Sequence, residues 1–143
     1  MDELRDTKRW FEMAIPEPTA EQACIQVGCH YEEVSEMMHA LGDDGESVRV
    51  EDLATEYKEC HEHLVEYLAI NPNYKVELLD SLADQIVTAV GVAHMMGFDI
   101  IGALAEVNRS NTSKFEDGCA VFDHNGKITK GKNYSPPNLK PFI

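Results

Sequence analysis

A chain of 143 residues is long enough for one compact domain, and its 43% apolar residues suffice for a single core. Its 26 acidic residues against 12 basic ones give a formal net charge of −14, which repels nucleic acid and anionic membrane surfaces and argues against both as partners. A small anionic ligand stays compatible with such a chain where carboxylates hold divalent cations, because the cation then meets the ligand.

In chain order, a short amphipathic segment around Trp10 and Phe11 comes first and is broken by Pro16 and Pro18. Thr19-Ala20-Glu21-Gln22 has the spacing of a capping box and predicts a helix running to about Leu41. Val27, Tyr31, Val34, Met38 and Leu41 recur along it at four- and three-residue steps, the pattern of one apolar stripe. Gly42-Asp43-Asp44-Gly45 ends it. A second long helix is expected over Val50 to Leu68, with Leu53, Tyr57, Cys60, Leu64 and Tyr67 on its apolar side and Asn71-Pro72-Asn73 as its stop. Asn73 is read as the cap of a third helix that ends near Met96 before Gly97, and Asp99 as the cap of a fourth reaching about Ser113. Ala120-Val121-Phe122, the turn signal His124-Asn125-Gly126 and Lys127-Ile128-Thr129 predict a small hairpin. Pro136, Pro137 and Pro141 make the tail an extended arm. The expected architecture is therefore all-α: a single domain over 1–143, a bundle of about four main helices, with 116–143 as a C-terminal hairpin and arm.

Four cysteines without C-x-x-C spacing, and no basic-then-apolar leader before them, point to reduced thiols in a cytoplasmic protein. The longest weakly polar stretch, Ile86 to Ile101, contains His94 and Asp99 and is shorter than the ~20 residues a membrane helix needs.

From Ser81 to Gly97 the third helix is apolar on nearly every face, and Asp84 is its only formal charge. Such a helix is expected at the centre of a bundle, with Asp84 at least partly buried between Asp80, Val87 and Gly91. An ionised carboxylate buried alone is unfavourable by many kcal/mol, so it requires a cation, a hydrogen-bond network or a proton. Basic partners are scarce: Arg49 and Lys58 are the only Arg or Lys between Trp10 and Asn73. The first long helix carries Glu32, Glu33 and Glu36 within about one turn, Glu33 and Glu36 side by side; Asp80 pairs in the same way with Asp84 and with Glu77. Two such helices offer oxygen ligands only, a set suited to Mg²⁺, or Mn²⁺, rather than zinc. An acidic helix face is otherwise a solvated surface.

The fourth helix ends in Asn108-Arg109-Ser110-Asn111-Thr112-Ser113-Lys114, a concentration of donors in a chain short of bases. Arg109 and Lys114 suit phosphate oxygens, and Asn108 and Asn111 suit a sugar or base. Lys127, Lys130 and Lys132 around Gly131 read either as a lid over phosphates or as a solvated loop; Lys130 and Tyr134 complete the set of binding candidates.

Together these stretches resemble the MazG-like all-α nucleoside triphosphate pyrophosphohydrolases, above all the small stand-alone members found in bacteriophages. The resemblance spans most of the chain. Glu32-Glu33-Val34-Ser35-Glu36 matches the family's Glu-Glu-x-x-Glu, LLDSLADQIVTAVGVAHMMGFDI is similar to its second metal-binding helix, and EVNRSNTSKF followed by NGKITKGKNYSPPNL looks like its third part. The family's Glu-x-x-Asp is departed from: with its Asp at Asp84, Ser81 stands where the Glu belongs, and either Asp80 or an upstream Glu77-x-x-Asp80 supplies the oxygen. The resemblance implies Mg²⁺ on Glu33, Glu36, Asp84 and Asp80, a water activated by Glu33 or Glu32, and Lys114 stabilising charge on the phosphates. It also implies release of a nucleoside monophosphate and pyrophosphate, and association as dimers or tetramers in the cytoplasm, a host's if phage-encoded. Phosphoribosyl-ATP pyrophosphohydrolase shares this logic and is the enzymatic rival. A di-iron reading from Glu36-x-x-His39 lacks its second Glu-x-x-His pair, leaving His39 as an ordinary histidine. Outside enzymes, an acidic helical interaction module needs no metal. Base and sugar preference, metal count, oligomer size and biological role are not encoded in any spacing here.

Overall fold

The computed structural model describes residues 2–60 and 72–143, and the all-α class holds. Five α-helices lie among the described residues: α1 (Glu3–Ala14), α2 (Ala20–Ala40), α3 (Asp44–Glu59), α4 (Pro72–Met95) and α5 (Ile100–Thr112). They are joined by two two-residue strands, β1 (Val121–Phe122) and β2 (Ile128–Thr129), and a 3-10 turn at Lys140–Phe142. The chain gathers into two compact units, one made of Met1–Glu17, Asn73–Val121 and Ile128–Ile143, the other of Pro18–Pro72 and Phe122–Lys127.

The second unit is built on an antiparallel pair, α2 and α3. At the start of α2 the Thr19 amide donates to Gln22 Oε1 at 2.9 Å and the Gln22 amide donates to Thr19 Oγ1 at 3.2 Å, so the expected capping box is present. The pair packs through small residues. Ser35 Oγ lies 3.0 Å from Ser47 Oγ and donates to the Ser47 carbonyl at 2.9 Å, and Ser47 Oγ donates in return to the Ser35 carbonyl at 3.0 Å. Two buried hydroxyls are thereby satisfied by each other and by helix carbonyls. One end further along, Gly28 meets Ala54: a Cβ on Gly28 would come within 2.6 Å of the Ala54 carbonyl oxygen. Tyr31 and Tyr57 then close the seam with ring centroids 5.5 Å apart. The line of closest contact therefore passes through Gly28 and Ser35 beside Tyr31, a member of the predicted apolar stripe, whose last member, Leu41, is exposed. Likewise Ser47 and Ala54 are buried on α3, whereas Leu53 and Cys60 are exposed; Leu64 and Tyr67 lie outside the described residues. α3 also starts six residues before the expected Val50, because Asp44 and Glu46 suit the positive end of a helix as well as they suit a loop.

In the first unit, α1 is capped by Asp2, whose carboxylate accepts from the Arg5 amide, and it packs on α5. Asn108 ties the two together: its Oδ1 accepts from Thr7 Oγ1 at 2.9 Å and its Nδ2 donates to the Glu3 carbonyl at 2.9 Å. Trp10 stacks on Phe115 with centroids 5.5 Å apart and meets the edge of Phe11. Asp99 caps α5 as predicted, accepting from the Gly102 amide at 3.0 Å. The C-terminal arm is a strap that runs back along α5. Ser135 exchanges hydrogen bonds with Ser113 Oγ, the Asn138 amide donates to Glu106 Oε1 at 2.9 Å, and the Asp99 amide donates to the Phe142 carbonyl at 2.8 Å. Its end sits where Gly102 leaves room, since a Cβ there would fall within 2.6 Å of the Phe142 ring.

Helix α4 departs furthest from expectation. It begins at Pro72, so Asn73 lies inside it rather than capping it. It was expected at the centre of a bundle, yet most of its apolar side chains, and Asp84 with them, are exposed. Composition reports that a helix has apolar faces to cover; it does not report what covers them.

Candidate functional site

The three glutamates of Glu32-Glu33-x-x-Glu36 lie within about one turn of α2 and have different environments. Glu32 is half-buried and holds two cations on one oxygen: Oε2 accepts from Lys58 Nζ at 3.2 Å and from Lys127 Nζ at 2.8 Å. Lys58 comes from α3 and Lys127 from the hairpin turn, so Glu32 fastens that turn to the helical pair. Partial burial opposes its ionisation, but the hydrogen bonds and charges of Lys127 and Lys58 outweigh that and hold its carboxyl below the ordinary range. Glu33 and Glu36 are exposed on the same helix. Three residues apart, they present two carboxylates side by side.

The turn itself is held by Asp123, whose Oδ1 accepts from the amides of Asn125 at 2.9 Å and Lys127 at 3.0 Å. Desolvation works against its charge; those two amides prevail and lower its pKa. Both shifts depress a folded-state carboxyl, so the stability they contribute is complete above the unfolded values near ~4 and is lost as pH falls through the folded ones. Acidification should therefore release the 122–127 turn, seen as faster hydrogen exchange of the Lys127 amide, and Glu32→Gln should weaken the same turn at neutral pH. A turn equally protected in Glu32→Gln would show that the two lysine contacts do not hold it.

Asp80, Asp84 and Glu77 lie on α4, in the other unit, and all are exposed. The expectation that Asp84 is at least partly buried is thus not met in the single chain. Among the described residues, no group of three His, Cys, Asp or Glu side chains is gathered closely enough to share a metal ion. His39 is exposed and pairs with Asp44 at 2.6 Å, the behaviour of an ordinary surface histidine.

Apart from Lys127, the basic candidates belong to the first unit, around the C-terminal end of α5. Arg109 donates to Glu106 from Nε and Nη2, both at 2.8 Å, and Nη2 also reaches the Pro136 carbonyl at 3.1 Å. This fork brings Glu106 down to about 2, through the Arg109 hydrogen bonds first and the Asn138 amide second. Arg109 and Asn108 thus already hold the strap and α1. Lys114 and Asn111 are half-buried where the strap begins: the Gly131 amide donates to the Lys114 carbonyl at 3.0 Å, and the Lys132 amide donates to Glu116 Oε1 at 2.6 Å. Lys130 Nζ stands 4.9 Å over the Tyr134 ring. Lys114, Lys130, Lys132 and Tyr134 are thereby brought to neighbouring stretches of chain, whereas Lys127 belongs to the Glu32 clasp. With Glu106→Gln, the Arg109 fork and the Asn138 contact weaken together, so residues 135–142 should exchange amide hydrogens faster while α5 stays helical. Unchanged exchange in the strap would show that Phe142 and Ser135 suffice to hold it.

Sequence reading gave Glu106 no role and did not foresee that Lys58 and Lys127 hold Glu32, because those partners come together from different elements. Two grooves adjoin these features. One of about 330 Å³ lies between α1 and α5, lined by Trp10, Met13, Ala105, Asn108, Arg109 and Phe115 among others. Beside it the Trp10 indole N–H is buried without a hydrogen-bond partner among the described residues. The other, about 240 Å³, is bounded by Ile25, Thr55, Lys58, Glu59, Asp123 and Lys127.

Comparison with protein-family models, with curated proteins and with solved structures returns no match. No single helix among the described residues is long and apolar enough to cross a membrane.

Proposed function

We propose that this chain is a Mg²⁺-dependent nucleoside triphosphate pyrophosphohydrolase, cutting a ribo- or deoxynucleoside triphosphate to the monophosphate and pyrophosphate in the cytoplasm as a homo-oligomer. The observation that carries the reading is the Glu33 and Glu36 pair, exposed one turn apart on α2 within a stretch that reads Glu-Glu-x-x-Glu. Mg²⁺ is commonly held by one or two carboxylates together with substrate phosphates, so a pair of this kind fits an ion that arrives with its nucleotide and needs no three-residue cage. Mn²⁺ suits the same oxygens. Asp84 and Asp80 are the further ligands that the family resemblance supplies.

The division of labour follows from the environments. When bound, the ion neutralises charge on the phosphate oxygens and makes an adjacent water more acidic. Glu33 takes the proton of the attacking water. Glu32 is the weaker candidate for that step, because two lysines hold its carboxylate and depress its basicity. Lys114 stabilises charge developing on the phosphates, with Lys130, Tyr134 and Asn111 contributing contacts to the nucleotide. Arg109 and Asn108 contribute only by exchanging their present partners.

Incubation of the purified protein with each ribo- and deoxynucleoside triphosphate, with and without Mg²⁺, tests this directly. Monophosphate and pyrophosphate formed only with metal support it and rank the bases; phosphoribosyl-ATP as an added substrate separates the enzymatic rival. A second reading, a helical interaction module, is favoured by the uncovered apolar surface of α4. Absence of turnover with every nucleotide and metal would replace the first reading with the second.

A further inference from the structure

Lysine seldom leaves water, because its ammonium group loses solvation when it does. Lys58 and Lys127 nevertheless have side chains only 22% and 37% exposed, and both donate to a single oxygen, Glu32 Oε2, at 3.2 and 2.8 Å. The two ammonium groups therefore stand no further apart than those distances laid end to end. Burial opposes the charge of Lys127, but the Glu32 contact prevails and holds its pKa above the ordinary lysine value. Of the three N–H donors on that ammonium, one is given to Glu32 among the described residues. Both lysines line the groove of about 240 Å³, which at ~30 Å³ for each water-sized group has room for a short phosphate chain. The groove lies within the unit that carries Glu33 and Glu36, and the one other Lys or Arg in that unit's sequence, Arg49, is exposed and paired with Glu46.

We infer that Lys58 and Lys127 form a binding site for a phosphate chain, either inorganic pyrophosphate or the β- and γ-phosphates of a nucleotide, with Glu32 as the counter-ion that occupies them in the absence of ligand. Phosphoryl oxygens take over the donors that Glu32 now receives, and no covalent bond is made or broken. Lysine suits this role because it meets phosphate as a point charge and needs no fixed fork geometry. A terminal phosphoryl group carries up to two negative charges where Glu32 carries one, so the exchange improves the match to two ammonium groups. A peptide carboxylate is the poorer occupant, since it brings the same single charge as the residue it would displace. Two acids share the lining. Asp123 is committed through Oδ1 to the amides of Asn125 and Lys127, and Glu59, exposed, suits a divalent cation travelling with the chain.

The choice of a phosphate chain as ligand rests on the hydrolase reading, whereas the paired cations do not. Titration calorimetry of the full chain with inorganic pyrophosphate and Mg²⁺ is the test. The wild type should bind, and Lys58→Met and Lys127→Met should each weaken binding at least about tenfold, the loss expected for a hydrogen bond between charged groups. Methionine keeps the apolar stem, including the part of Lys58 that lies beside Gly28. Glu32→Gln removes the competing carboxylate and should strengthen binding several-fold, and pyrophosphate should restore to that variant slow hydrogen exchange at the Lys127 amide. If a methionine variant loses helical circular dichroism, Glu32→Gln decides instead. A wild type that binds no pyrophosphate at millimolar concentration, methionine variants that bind as tightly as the wild type, or weaker binding in Glu32→Gln would each overturn the proposal. Pyrophosphate bound through these lysines with no nucleotide cut leaves the site standing and removes the hydrolase reading; nucleotides cut with unchanged KM in both methionine variants do the reverse. A non-hydrolysable nucleoside triphosphate that competes with pyrophosphate identifies the chain as a nucleotide's, and one that does not identifies free pyrophosphate.

Discussion

Glu33→Gln should lower turnover by roughly 10²–10⁴-fold at saturating Mg²⁺, the range typical of removing a positioned general base. The amide keeps the size of the side chain and loses its ability to accept the proton of water. Because Glu33 is exposed on α2, the substitution should leave the helix in place. KM should rise as well, since Glu33 also holds the ion that arrives with the nucleotide. The comparison that matters is with Glu32→Gln, which removes the clasp to Lys58 and Lys127 and should mainly loosen the hairpin turn. Steady-state rates and melting curves of the two variants distinguish the roles. Full activity in Glu33→Gln would remove the α2 pair from the chemistry, whereas a larger rate loss in Glu32→Gln would transfer the base to the residue the lysines hold.

Gly28→Val should destabilise the α2–α3 pair by about 3 kcal/mol, the upper part of the range for overpacking a fixed contact. Its Cβ would fall 2.6 Å from the Ala54 carbonyl oxygen and 2.6 Å from Lys58 Cγ. The lysine methylene can swing away, but the carbonyl belongs to the backbone of α3 at a residue with no exposure, so the helices must separate. Separation also strains the Ser35–Ser47 exchange, whose buried hydroxyls have no water to turn to. Gly45→Ala is the control: an added Cβ there meets nothing within 4 Å, and less unfolded-chain freedom should stabilise by about 0.5 kcal/mol. Denaturant midpoints measure both. A Gly28→Val protein as stable as the parent would mean that the helices yield at little expense.

Elements set by local chemistry were legible in the sequence. The Thr19 and Gln22 box, the Asp99 cap and the turn before Lys127 all act within four residues, and each is present. What the sequence conceals is how distant pieces meet. Hydrophobicity ranked Leu41 and Leu53 as contacts, yet helices approach closest where side chains are small, and Gly28, Ser35, Ser47 and Ala54 carry little hydrophobic signal. The carboxylate cluster was legible as a pattern on α2 but not as an environment: that Glu32 differs from Glu33 depends on Lys127, 95 positions along the chain. Asp84 is the reverse case, a residue whose apolar neighbours in sequence implied burial that the isolated helix does not provide.

The route of the chain also sets an order of assembly. The Ser35–Ser47 contact closes a loop of 12 residues, while Thr7–Asn108 closes one of 101. Closing the longer loop is about 2 kcal/mol less favourable in chain entropy, so α2 and α3 can pair while α1 still lacks its partner. The amide of Asp99 waits longer still, because its acceptor is the carbonyl of Phe142. During synthesis from the N-terminus, α1 must therefore wait for α5, the start of α5 remains incompletely paired until the strap has left the ribosome, and a pause in translation shortly before Phe142 would prolong that exposure.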